Sequence, residues 1–203
     1  MAATFAVPTD SLFLESSPSG CELQFCESRL PGCFVVEFPK FSDHRGSLVK
    51  AIRRSAFEAR GLRSDFAEVF YTTSEKNVLR GMHFQTPPSD HAKLVYCLAG
   101  SILDVALDLR AGSPTFGEHE VYELTSDANN AIYLPSGIAH GFYVEEAPSV
   151  VAYHVTTEHD PARDAGVHWD SFGAVWPGEK PIVSARDSGF LTLAEFETPF
   201  RYG

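Results

Sequence analysis

Eight histidines stand in this chain, at positions 44, 83, 91, 119, 140, 154, 159 and 168. Histidine is the side chain whose charge changes near neutral pH, so its placement is the first place to look for proton transfer. His83 interrupts a run that otherwise reads as a strand, with Arg80 before it and Phe84 after it. His140 closes a Pro-x-Gly-x-x-His pattern that begins at Pro135, a sharp turn that throws the imidazole into the mouth of a small β-barrel. Lys93 opens another strand, in phase with an apolar face, and Tyr153 lies in Val150-Val-Ala-Tyr-His. Singly, a strand histidine is more often a hydrogen-bonded structural residue, and a lysine at a strand start is usually solvated. Convergence changes the balance. A barrel brings inward-facing residues of neighbouring strands within reach of one another, and barrel mouths hold ligands.

The elements that must position these residues are short and β-rich. Strand-like runs cover 33–38, 46–52, 66–73, 78–84, 93–98, 102–109, 119–124, 131–134, 139–144 and 150–157, punctuated by Gly, Pro, Asn and Asp. In 102–109, Leu103, Val105, Leu107 and Leu109 share one face while Asp104 and Asp108 share the other, the pattern of a sheet with one buried side. Ala99-Gly100 between two apolar runs reads as a tight hairpin turn. Helix signals are few. Ser55 to Glu58 fits a capping box with Gly61 as the stop, and Thr192 to Glu195 fits a weaker one. Many short strands with hardly any helix indicate an all-β chain of sandwich or jelly-roll barrel type, with one or two short peripheral helices.

Length and charge bound the function. A chain of 203 residues with 44% hydrophobic and 21% charged residues makes one substantial domain. We divide it into an arm (1–30), a core domain (31–187) and a C-terminal segment (188–203). A net charge of −11 disfavours general nucleic-acid binding and anionic membrane surfaces, so an anionic ligand needs a local cluster of Arg and Lys. No apolar run approaches the ~20 residues that span a bilayer, and the first 20 residues lack a basic signal region. Cys21, Cys26, Cys33 and Cys97 form no CxxC pair and read as free thiols of a cytoplasmic protein.

A set of motifs in order carries a resemblance. Phe41-Ser-Asp-His-Arg-Gly46, Val78-Leu-Arg-Gly-Met-His-Phe-Gln85, Ala92-Lys-Leu-Val95, Asp104-Val-Ala-Leu-Asp-Leu-Arg110, Ser113-Pro-Thr-Phe-Gly117, Ile138-Ala-His-Gly-Phe142 and Trp176-Pro177 resemble the dTDP-4-dehydrorhamnose 3,5-epimerases. The resemblance runs from about Val35 to Asp187. It implies a metal-free cupin jelly roll, a homodimer, no cofactor, and inversion of C3 and/or C5 of a nucleotide-linked 4-keto-6-deoxy sugar for deoxysugar or surface polysaccharide synthesis. Other cupins bind metal through a His-x-His pair, a Glu and a later His. Here Phe84 and Gln85 follow His83, so the first half of that set is missing. A metal-dependent or non-catalytic cupin that binds a sugar nucleotide is the alternative reading.

By the same resemblance His83 is the base, Asp170 its orienting carboxylate, Lys93 the cation at the C4 oxygen, and Tyr153 the acid. His140 contacts the sugar, Arg45 and Arg80 the nucleotide and its diphosphate, and Asp164 and Arg186 take outer binding positions. The chain departs from the thymidine-type pattern at Lys50 (Glu in the family), at Glu68, Val69 and Phe70 (Gln-Asp-Asn), and at His159 (Tyr). These are expected to be substrate-binding positions on the nucleotide side, where the handle differs while the reacting group is kept.

Overall fold

The computed structural model describes residues 22–178 and 180–203. The greater part of the proposed arm, with Cys21, lies outside the described residues. Among the described residues eleven strands form: β1 (Gln24–Glu27), β2 (Phe34–Glu37), β3 (Lys40–Asp43), β4 (Gly46–Val49), β5 (Glu68–Ser74), β6 (Leu79–Gln85), β7 (Lys93–Asp108), β8 (His119–Thr125), β9 (Asn130–Leu134), β10 (Ile138–Val155) and β11 (Asp164–Gly166). One short helix, α1 (Arg54–Glu58), and a 3-10 turn at Asp187–Gly189 complete the described elements. All strand pairings are antiparallel, so the chain is an all-β jelly-roll barrel, as its strand pattern predicts.

Two long strands make the barrel. β7 and β10 pair from Lys93↔Val155 to Asp108↔Ile138, and the register breaks between Val144 and Val151. On one side of that break, Lys93–Tyr96 pairs with β9, and Ser149–Val155 pairs with β5. On the other side, Ser101–Leu107 pairs with β8, and His140–Tyr143 pairs with β6, which in turn pairs with β11. The two strands therefore bend together and pass from one layer into the other. The expected hairpin at Ala99-Gly100 is this bend instead: Gly100 sits at φ +77°, and a Cβ there would lie 2.6 Å from Ser149 Oγ and 2.7 Å from the Glu146 carbonyl. Only glycine allows the two bulged strands to touch at the corner.

Between the layers lies a core that includes Val95, Ile132, Val151 and Tyr153 from one sheet and Ala106, Phe142 and Val144 from the other. A second cluster covers the outer face of the β6–β8 layer, where Val105, Leu107 and Leu109 meet Trp176 and Phe200. The 102–109 stretch is consequently buried on both faces. Asp104 and Asp108 do not face solvent, as alternation alone suggests; both are fully buried and hydrogen-bonded. The C-terminal segment supplies that outer cover, with Phe196 and Phe200 packed edge-on against Phe84.

The helix forms two residues early. Its N-cap is Arg53, without a side-chain bond, and Ser55 lies inside it; an Arg54–Glu58 pair at 2.6 Å replaces the capping box. Glu195 reaches back to accept the Thr192 N–H at 3.1 Å and the Thr192 hydroxyl at 2.7 Å, half of the expected capping box, and the segment closes only a turn. Cys26, Cys33 and Cys97 are free thiols, the last two buried. No helix among the described residues is long and apolar enough to cross a membrane.

Candidate active site

A cavity opens between the two layers, with β5, the start of β7 and the end of β10 on one wall and β6 and the start of β10 on the other. Of the residues singled out from sequence, His83, Lys93, Tyr153, Arg80, His140, Glu68, Phe70, His159, Asp164 and Arg186 line it. Arg45, Lys50 and Asp170 do not. Arg45 forms an ion pair with Asp43 at 2.6 Å on the β3–β4 hairpin, a separate two-stranded sheet, and Lys50 lies over the Phe41 ring. Asp170 is exposed in a turn beyond Trp169, whose ring packs against the outer cluster.

The carboxylate at His83 is Asp187. Its Oδ1 lies 2.9 Å from His83 Nε2, and its Oδ2 accepts the Gly81 N–H at 3.1 Å. An ionised carboxylate only accepts, so Nε2 carries the proton and Nδ1 keeps the lone pair. Burial would raise the Asp187 pKa, yet the bonds from His83 and Gly81 overcome it and hold the carboxyl below its usual range. Burial lowers the pKa of His83, and Asp187 only partly offsets this, so the imidazole is neutral at pH 7. The one signal for Asp187 in the sequence was its position next to Arg186. Replacing Asp187 by Asn is expected to cut kcat by about 10²-fold, because the amide can hold the wrong tautomer. Asp170→Asn should change it by less than about twofold; steady-state rates of the two variants check this.

The Leu-Arg-Gly-Met-His run has a structural reason for its glycine. Gly81 sits at φ +141°, and a Cβ there would come within 2.5 Å of Gly141 Cα. β6 and β10 thus touch backbone to backbone immediately before His83 and after His140, which are paired residues in the register. His140 is fixed in turn by Asp104, with Nε2 to Oδ2 at 2.5 Å in a buried pair that pattern reading did not anticipate.

Lys93 is buried and donates from Nζ to the His83 carbonyl at 3.0 Å. Burial lowers its pKa to about 8, against the pull of Asp164 and Asp104. Tyr153 stands on the opposite layer from His83. Burial raises its pKa, so the phenol stays protonated throughout the physiological range. Toward the mouth, Arg80 donates to Ser74 Oγ and the Thr73 carbonyl, while Arg186 pairs with Asp164 at 2.9 Å. Glu68 accepts the His159 N–H at 2.6 Å. Together these groups can take a proton from carbon on one side, hold an oxyanion, deliver a proton from the other side, and bind phosphate oxygens at the rim.

The profile of the dTDP-4-dehydrorhamnose 3,5-epimerase family matches residues 27–195. The chain belongs to this family. It is an isomerase of the sugar-nucleotide epimerase type. It is 39% identical over 169 residues to the dTDP-4-dehydrorhamnose 3-epimerase of Streptomyces niveus, covering 82% of each chain. It is 34% identical over 190 residues to the dTDP-4-dehydrorhamnose 3,5-epimerase of Sinorhizobium fredii, covering 89% of this chain and 95% of the relative. Among solved structures, the dTDP-6-deoxy-D-glucose-3,5-epimerase of Legionella pneumophila, in complex with dTDP-4-keto-L-rhamnose, superposes with a TM-score of 0.85 at 30% identity, over 90% of this chain and 100% of that one.

Proposed function

We propose that this epimerase acts on a dTDP-linked 4-keto-6-deoxyhexose, inverting a carbon beside the ketone by proton removal at His83 and proton return from Tyr153. The observation that carries this reading is the arrangement of one cavity. A neutral imidazole braced by Asp187 stands on one layer, a protonated phenol stands on the other, and the Lys93 ammonium lies beside the imidazole strand. The C–H bond next to a carbonyl is a weak acid. When His83 Nδ1 takes its proton, the bonding pair becomes the enolate double bond and charge moves to the C4 oxygen, where Lys93 stabilises it. Tyr153 then protonates carbon from the opposite face, and the centre inverts. Arg80 and Arg186 supply the positive charge that a diphosphate requires in a chain of net charge −11.

Relatives named as 3,5-epimerases and as a 3-epimerase support C3 as a reacting carbon, with C5 as the second. We read the protein as a cytoplasmic homodimer serving deoxysugar or surface polysaccharide synthesis. The β3–β4 hairpin, which carries Arg45 and is followed by Lys50, pairs with no strand of the main sheet. The test is conversion of 4-keto-6-deoxyglucose carried on dTDP, CDP and GDP, followed by NMR. The dTDP compound should give the highest kcat/KM; conversion of a CDP or GDP compound alone would move the handle, and no conversion would sink the reading.

A further inference from the structure

Phe70 is an apolar ring that lines the cavity and stays 41% exposed. It stands directly opposite Tyr153 in the β5–β10 register. The two rings are stacked, with centroids 4.7 Å apart and planes at 11°. His140, fixed by Asp104, meets Tyr153 edge-on at 5.9 Å and 81°. Two residues along β5, the Thr72 hydroxyl lies near the phenol without a well-aligned hydrogen bond to any group. Ring contacts bound the phenol on two sides and fix its plane: Phe70 on the face, His140 at the edge.

We propose that Phe70 is the positioning residue for Tyr153, and that the stack decides which face of the enolate is reprotonated. The inference rests on Tyr153 being the acid. Once His83 holds the carbon-derived proton as imidazolium, two outcomes compete. The aligned phenol gives its proton to carbon from the far side, leaving a phenolate that solvent reprotonates, and the centre inverts. Alternatively His83, whose side chain is 30% exposed and exchanges its proton with solvent, returns one to the same face, and configuration is kept. A loosened Tyr153 slows only the first. Aromatic cross-strand stacks constrain ring orientation in just this way.

The experiment runs the wild type, Phe70→Ala, Phe70→Leu and Phe70→Tyr with dTDP-4-keto-6-deoxyglucose in D2O. It reads deuterium in recovered, uninverted substrate against deuterium in inverted product. The ratio of the first to the second should rise about tenfold in Phe70→Ala and Phe70→Leu and return near the wild-type value in Phe70→Tyr. A variant that merely loosens the fold would lower both rates and leave the ratio unchanged, and that result overturns the inference while sparing the proposed function. Absence of any exchange in the wild type would overturn both.

Discussion

Replacing His83 by asparagine is expected to lower turnover of a dTDP-linked 4-keto-6-deoxyhexose by about 10³-fold, the middle of the range that a positioned general base contributes. Asparagine keeps a donor for the Asp187 carboxylate, so the buried Asp187 retains a partner and the fold should hold. The loss then reports chemistry and not collapse. Deuterium wash-in should vanish in parallel with inversion, because both begin with the same proton transfer. A variant retaining more than a tenth of the wild-type rate, with an unchanged melting curve, would remove His83 from the role of base.

Lys93→Met carries the second large effect. The ammonium is the buried cation nearest the His83 strand, and loss of a comparable oxyanion-stabilising donor costs about 10²- to 10³-fold in kcat. Stability should move the other way. A lysine whose pKa falls from 10.5 to about 8 on burial costs the folded state on the order of 3 kcal/mol at neutral pH. The unfolded chain binds the extra proton between about 8 and 10.5, so this cost lessens as pH rises through that window. Met, of similar shape and without charge, is spared it, and the variant should melt at or above the wild-type temperature. The same group sets a pH limit. Wild-type kcat/KM should fall above about pH 8 as Lys93 loses its proton, and this limb should disappear in Lys93→Met. On the acid side the rate should fall only below the ordinary histidine range, since burial lowers the pKa of His83. A lysine kept in the barrel at such a cost is evidence of a site selected for chemistry over stability.

Much of this was legible without coordinates, for reasons that differ by element. The barrel followed from period-two runs and turn residues, which report local geometry. The long bends of β7 and β10 were not legible, because Gly100 has the same turn chemistry in a hairpin and in a sheet corner; only the pairing partners distinguish them. Alternation placed Asp104 and Asp108 on a common face but left open whether that face was wet. It is dry, because the second layer closes over it. His83, Lys93 and Tyr153 share one cavity because each sits at an inward phase of its strand. Asp187 escaped because it comes from a 3-10 turn after a long irregular stretch, where no periodicity operates, and Trp169-Asp170 offered a carboxylate in a similar context. Arg45 and Lys50 were read into the site by motif alone, and within one chain the β3–β4 hairpin holds them apart from it.

The departures Lys50, Glu68, Phe70 and His159 now separate into two groups. Glu68, Phe70 and His159 line the cavity, and the Glu68 bond to the His159 N–H ties strand β5 to the loop after β10. Lys50 lies elsewhere in this chain. As proposed substrate contacts, Glu68 and His159 would bear on which base is accepted, Glu68 as an acceptor only, whereas Phe70 bears on proton return through its stack with Tyr153.

Incubating the purified wild-type protein with dTDP-4-keto-6-deoxyglucose in D2O, and reading each ring carbon by proton NMR, addresses the chemistry most directly. Paired proton transfer at an enolate predicts disappearance of the C3 signal, the C5 signal or both, with deuterium retained at each inverted centre. Inversion with full retention of the original hydrogens, or no loss of signal beside the ketone after many hours, would contradict it.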